Sequence, residues 1–111
     1  MKLFLVVPAL LLAVSGAGIL AAAKGDAQSG KAVFTAKCKT CHGSQGEGNP
    51  AIAKALKVTI PPLSAKEVQS KSDEELQKAI VEGFGKMKPV PGLPSRQVPD
   101  LVAFVRSLAK P

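Results

Sequence analysis

Three stretches of this chain place apolar residues at the spacing of an α-helix, with polar residues between them. The first can be capped by Asp26 or Ser29 and runs to about Lys37. The second begins at Ser72, which a glutamate follows three residues later, as in a capping box. Gly83 is its expected end, because glycine favours the position just after a helix. The pattern therefore predicts two helices with defined starts.

The third stretch is the most regular and lies near the C-terminus. Its apolar residues stand at positions i, i+3, i+4 and i+7, namely Leu101, Phe104, Val105 and Leu108. This helix is expected to end at about Ala109 and to begin either at a Ser95 cap or with Pro99 as its first residue. No segment of residues 24–111 alternates like a strand. The chain is therefore predicted to be all-α.

Glycines and prolines mark the connections between these helices. Residues 43–50 contain three glycines and an Asn-Pro pair, which argues against regular structure. Residues 51–60 fit either a short helix or an extended run, and two prolines end them. Residues 83–94 contain three glycines and three prolines. The expected domain consists of helices joined by long loops.

The first 23 residues have a different character from the rest. Residues 3–23 carry no charge, follow Lys2 and end in three alanines. This is the pattern of a secretory signal peptide cut before Lys24. An uncleaved anchor is the alternative, since 21 uncharged residues can just span a bilayer. We interpret residues 1–23 as a signal peptide and residues 24–111 as one domain, which is exported in either case.

The 88 residues after the leader are basic, with 14 lysines and arginines against 8 acidic residues and a net charge of +6. Nucleic acid is not an expected partner, because the chain lacks a recognition motif and is predicted to be exported. An acidic protein surface fits the charge better. Four lysines form either a docking surface or a solvated face: Lys37, Lys39, Lys86 and Lys88.

The most specific string in the chain is Cys38-Lys39-Thr40-Cys41-His42. Cys-x-x-Cys-His is the signature of covalent haem attachment: each thiol bonds one vinyl group, and the histidine supplies an axial nitrogen. A zinc site would want a fourth nitrogen or sulfur, and residues 24–111 offer no other histidine or cysteine. The two thiols could also form a disulfide, or a redox dithiol, although a redox dithiol would want a βαβ context. We predict one covalent haem c on Cys38 and Cys41, with His42 as an axial iron ligand.

The second axial ligand has one soft candidate. Met87 is the only methionine after the leader and lies in a loop bounded by Pro89. A thioether ligand favours ferrous iron and raises the reduction potential. The alternatives are a gap-filling core methionine, ligation by Lys86 or Lys88 at high pH, and an open site. We predict that Met87 binds the iron, which leaves no position for a substrate.

Together these pieces resemble the small class I mono-haem cytochromes c of bacteria and photosynthetic organisms, over essentially the whole of residues 24–111. The pieces that match are Gly30-x-x-x-Phe34, the haem string, Met87-x-Pro89 and a terminal helix with Phe104. The resemblance implies crossed N- and C-terminal helices around one haem. It also implies that Gly30 and Phe34 pack near Phe104.

The same resemblance implies a role for Pro50. In this family a proline carbonyl after the haem motif orients the axial histidine. Here Pro50 follows Asn49, where the family typically has glycine. The Pro50 carbonyl is therefore expected to orient His42, although Asn49 before it departs from the family pattern.

The sequence predicts a periplasmic or otherwise exported one-electron carrier, not an enzyme, that shuttles electrons between larger redox proteins. A compartment like the thylakoid lumen fits the same leader. One alternative is an electron-transfer subunit of a respiratory or photosynthetic membrane complex, such as an oxidase or dehydrogenase, tethered through residues 3–23. A haem peroxidase-type enzyme is the second, but no residue is evident as its distal base.

Overall fold

The computed structural model describes residues 25–110, so the predicted signal peptide lies outside the described residues. Among these residues there is no strand, only an isolated antiparallel bridge between Phe84 and Met87. None of their helices is long and apolar enough to cross a membrane. The all-α prediction is confirmed. The helices in chain order are α1 (Ala27–Lys37), α2 (Lys39–His42), α3 (Pro50–Leu56), α4 (Lys66–Gln69), α5 (Asp73–Glu82) and α6 (Gln97–Ser107).

Helix α1 has the start and end that the sequence predicts, with Asp26 rather than Ser29 as the cap. The Asp26 carboxylate accepts hydrogen bonds from the Gln28 backbone N–H at 3.1 Å and from the Ser29 hydroxyl at 2.7 Å. Cys38 closes the helix by donating its N–H to the Phe34 carbonyl at 2.8 Å. The cap satisfies an N–H that the helix itself leaves unpaired.

Helix α5 is likewise confirmed at both ends. The backbone N–H of Glu75 donates to the Ser72 hydroxyl at 3.1 Å, and the Ser72 N–H donates back to the Glu75 carboxylate at 3.3 Å. This reciprocal pair is a complete capping box. Gly83 follows the last helical residue with φ +86°, in the region that glycine adopts most easily.

The predicted start of α6 is wrong. The helix begins at Gln97 after Arg96, and neither Ser95 nor Pro99 takes the first position. Two turns lead into it instead, because the Gln97 N–H donates to the Pro94 carbonyl and the Val98 N–H to the Ser95 carbonyl. Backbone turns therefore replace the expected side-chain cap. The helix ends at Ser107, two residues before the predicted end.

The ambiguous segment after the first loop is resolved as a short helix followed by extended chain. Asn49 caps α3 and Pro50 is its first residue, the position at which proline fits a helix best. Lys57 ends the helix with φ +56°, the left-handed conformation. The four-residue helix α4 was not predicted.

The core lies where α1 crosses α6. Phe34, Leu101 and Phe104 form one buried cluster, and the two phenylalanine ring centroids are 4.9 Å apart. A Cβ added to Gly30 would collide with the carbonyl oxygen of Asp100, so only glycine allows this approach. The expected packing of Gly30 and Phe34 near Phe104 is confirmed.

A second buried cluster extends the core from the same helix towards α4 and α5. It consists of Val68, Leu76, Val102 and Val105. Arg106 strengthens this contact, because it donates to the backbone carbonyls of Gln69 and Lys71 and forms an ion pair with Asp73 at 2.9 Å. Helix α6 therefore joins both halves of the domain.

Candidate haem-attachment site

The motif lies directly after α1, with Cys38 at the junction of the two helices and Cys41 and His42 on the short helix α2. Cys38 ends α1 and precedes α2, and His42 is the last residue of α2. Cys38 and Cys41 are half-buried free thiols. Burial, with a smaller contribution from Cys41, raises the pKa of the Cys38 thiol. The structure therefore places two free thiols three residues apart, as attachment to the two vinyl groups of one haem requires.

His42 is held as a neutral imidazole against the aromatic core. Its ring centroid lies 6.3 Å from that of Phe34, with the planes tilted by 42°. Burial lowers the pKa of His42, and the neutral form is the one that binds a metal ion. Within residues 25–110, its Nδ1 atom is buried without a hydrogen-bond partner. Since an unpaired buried nitrogen is costly, Nδ1 requires a hydrogen-bond partner, the kind of contact that orients a metal-binding histidine.

Pro50 does not provide the expected partner for His42 in this structure. It is an exposed residue at the start of α3, and His42 Nδ1 receives no hydrogen-bond partner from it. The residue before it makes the contacts to the motif instead: the Asn49 side chain donates to the Thr40 carbonyl at 3.0 Å. The orienting role of the Pro50 carbonyl stays a prediction.

Met87 lies on the loop between α5 and α6, in a tight hairpin. Its N–H donates to the Phe84 carbonyl at 2.8 Å, and its carbonyl accepts from the Phe84 N–H at 3.0 Å. Gly85 takes φ +56° between them. The Met87 side chain is half-buried. Both backbone polar groups are thus paired, which fixes the point from which the thioether projects.

A single contact joins this loop to the region of the haem motif. The Lys86 ammonium donates to the carbonyl of Leu56, in the last turn of α3, at 2.7 Å. A cation at the end of a helix is favoured by the helix dipole. Sequence reasoning missed this contact because residues 30 positions apart form it.

The residues around the motif fit a large apolar cofactor. Helix α3 has no fully buried residue, and its Leu56 is 42% exposed. Seven further apolar residues of α3, α5 and the loops are only half-buried: Ile52, Val58, Ile60, Leu63, Ile80, Val90 and Leu93. Haem is a broad apolar ring, and half-exposed apolar side chains of this kind are what such a cofactor would cover. Cys38, Cys41, His42 and Met87 are the residues that would hold it.

The fold and this site define a small all-α protein that attaches haem covalently through two thiols. The sequence model of the cytochrome c family matches residues 27–109. The chain belongs to the cytochrome c family. It is also similar to a solved structure, the KustC0563 c-type cytochrome, with 31% identity and a TM-score of 0.63 over 73% of this chain and 98% of that chain. No curated protein matches it.

These comparisons confirm the class I mono-haem cytochrome c fold and a covalently bound haem c. Membership of the family indicates haem-based electron transfer, the work of an electron carrier rather than an enzyme. Cytochrome c domains are typically exported.

Proposed function

We propose that this protein is a periplasmic one-electron carrier whose haem iron is bound by His42 and Met87. The observation that carries the proposal is the hairpin that fixes Met87 through two backbone hydrogen bonds. A methionine that only fills a gap in a core adapts to its surroundings and needs no such fixed backbone. The Lys86 bond to α3 holds the same loop against the part of the chain that follows the haem motif.

Two protein ligands make the iron a carrier of electrons alone. With both axial positions filled, the iron has no site for oxygen or peroxide, and only its charge changes. The histidine is neutral because burial lowers its pKa, and the thioether is also neutral, so the ligands add no charge to the site. A soft thioether favours the ferrous state and raises the reduction potential.

Carbon monoxide binding tests the ligation directly. The ferrous wild-type protein should bind carbon monoxide slowly or not at all, whereas Met87→Ala should bind it rapidly and stoichiometrically, because one axial position is open. Lys88→Gln is the matched control, since it alters the same loop without removing the sulfur. Rapid binding by the wild type would contradict the proposal and favour a catalytic haem.

The partners are proposed to be redox proteins with acidic surfaces, and the support is the excess of lysine. Lys37, Lys39, Lys86 and Lys88 are all exposed, and residues 24–111 carry a net charge of +6 before haem is added. Electrostatic steering raises association rates and weakens with salt. The second-order rate of electron exchange with an acidic redox protein should therefore fall as ionic strength rises. An unchanged rate would favour the solvated-face interpretation.

A mobile carrier also requires that the leader be removed. Mass spectrometry of the mature protein should find an N-terminus at Lys24. An intact leader would favour the alternative of a membrane-tethered subunit of an oxidase or dehydrogenase complex.

A further inference from the structure

We propose that Asn49 is a positioning residue for the haem ligand His42, because its side chain forms hydrogen bonds both to α2, which carries the motif, and to α3, which follows it. We call these contacts of Asn49 the lock between α2 and α3. The inference rests on the proposed ligation of iron by His42. It concerns a residue outside the Cys-x-x-Cys-His string, the one that directly precedes α3.

The first half of the lock is on α2. A helix leaves its last four carbonyl groups without partners inside the helix, and α2 consists of only four residues. The Lys39 carbonyl is paired with the Gly43 N–H at 2.8 Å, as the last bond within the turn. The other three acceptors depend on residues 48 and 49.

Asn49 and its neighbour pair all three of these carbonyls. The Asn49 side-chain amide donates to the Thr40 carbonyl at 3.0 Å. The Asn49 backbone N–H donates to the Cys41 carbonyl at 2.9 Å, and the Gly48 N–H donates to the His42 carbonyl at 2.6 Å. Of these three bonds the Thr40 contact is the one that depends on a side chain, so a substitution of Asn49 removes it and keeps the two backbone bonds.

The second half of the lock is on α3. The Asn49 side-chain oxygen accepts from the backbone N–H groups of Ala51 at 3.0 Å and Ile52 at 3.4 Å. The oxygen thus caps the start of α3 while the nitrogen of the same amide closes the end of α2. A serine hydroxyl at this position can cap α3 but is too short to reach the Thr40 carbonyl. Glycine can make neither contact.

His42 depends on this lock because no hydrogen bond from the described residues to its Nδ1 atom holds its ring. Its orientation therefore follows from the backbone of α2 and from packing against Phe34. Loss of the Thr40 contact frees the end of α2 from α3, so that water can compete for the carbonyl groups of α2 that Asn49 and Gly48 pair. Water near the haem stabilises the more highly charged ferric state, because burial and hydrogen bonding set the potential.

The test compares Asn49→Ser with wild type in the haem-loaded protein. Serine keeps a capping oxygen and adds no charge, but it removes the amide donor. The midpoint potential and the NMR shifts of the ferric haem methyl groups, which respond to the orientation of the axial histidine, are the two readouts. Ser72→Ala is the matched control, because it removes a helix cap from α5 and leaves the motif untouched.

We expect Asn49→Ser to lower the midpoint potential and to change the pattern of the haem methyl shifts. Ser72→Ala should lower the unfolding temperature with the potential and the shifts at their wild-type values. Wild-type values in Asn49→Ser, or equal changes in Ser72→Ala, would overturn the inference. If Asn49→Ser fails to mature, Asn49→Asp replaces it and is judged by the shift pattern, since its added charge alone alters the potential.

The same spectra separate this inference from the proposed function. A high-spin ferric wild-type spectrum would contradict the proposed function, because it indicates that Met87 does not bind the iron; the comparison of haem methyl shifts would then still test the role of Asn49. A low-spin wild-type spectrum together with an unchanged Asn49→Ser spectrum would overturn the role of Asn49 alone.

Discussion

The helix crossing and the haem-motif region of this protein are built in different ways. At the crossing of α1 and α6, Phe34, Leu101 and Phe104 are each no more than 5% exposed. Around the motif, no residue except Gly46 is buried among residues 38–60, and the contacts are hydrogen bonds between backbone segments. The crossing therefore supplies stability from the polypeptide alone, whereas the motif region is shaped to receive a cofactor.

The Met87 loop, which would cover the haem from its other face, extends this contrast, and truncation of one phenylalanine at the crossing and one on this loop gives its largest test. Phe34→Ala should cost about 3–5 kcal/mol of unfolding free energy, because it removes a ring that is 2% exposed and packed against Phe104. Phe84→Ala should cost less than about 1 kcal/mol, since that ring is 65% exposed and meets chiefly the Lys71 ammonium at 5.0 Å. Denaturant unfolding measures both, and equal losses would break the contrast.

Glycine substitutions probe the same two sides by adding one carbon atom. Gly30→Ala should cost about 2–3 kcal/mol, because its Cβ would collide with the backbone carbonyl of Asp100. Gly85→Ala should cost about 1 kcal/mol, since nothing lies within 4 Å and only its φ of +56° is unfavourable. If Gly30→Ala unfolds at the same temperature as the wild type, the helices cross less closely than described.

Arg106 tests whether α6 is held by hydrogen bonds as well as by apolar packing. Arg106→Gln should cost about 1–2 kcal/mol, because it removes bonds to the carbonyls of Gln69 and Lys71 together with the Asp73 ion pair. Lys78→Gln serves as the control and should cost about 0.3–0.5 kcal/mol, since its pair with Glu82 is exposed and 3.9 Å long. Urea unfolding of the two variants should differ, and indistinguishable curves would remove this contribution to the crossing.

The smallest expected effect is the acid response of the α1 cap. Hydrogen bonds from the Ser29 hydroxyl and then the Gln28 N–H hold the pKa of Asp26 below its ordinary value of 3.8. Its contribution to stability is therefore present above that ordinary value and is lost as the pH falls through the lowered pKa. Asp26→Asn keeps a capping oxygen that does not titrate, so its stability should fall less steeply below about pH 4. Identical acid-unfolding profiles would exclude the cap as a source of acid sensitivity.

The parts of the fold that local sequence chemistry controls were predictable. Asp26, Ser72 and Gly83 act within a turn of their own helices, and Cys38-Lys39-Thr40-Cys41-His42 carries its chemistry in five consecutive residues. These features need no knowledge of the rest of the chain.

The features that were missed depend on distant residues or on backbone geometry. The start of α6 follows two overlapping turns rather than a side-chain cap. The contact of Lys86 with Leu56 spans 30 positions, and that of Asn49 with Thr40 spans nine. Asn49 had a visible signal, because an Asn-Pro pair is a good cap followed by a good first helical residue. From the sequence we interpret this pair as a sign of a loop instead, and residues 51–60 stay open between a short helix and an extended run.

The central claim is that His42 and Met87 bind the haem iron from two separate regions of the chain. Near-infrared magnetic circular dichroism of the ferric protein tests it most directly, because methionine ligation of low-spin haem gives a characteristic charge-transfer band. We predict that band in the wild type and its loss in Met87→Ala. A band that persists unchanged in Met87→Ala, or that the wild type lacks, would contradict the claim.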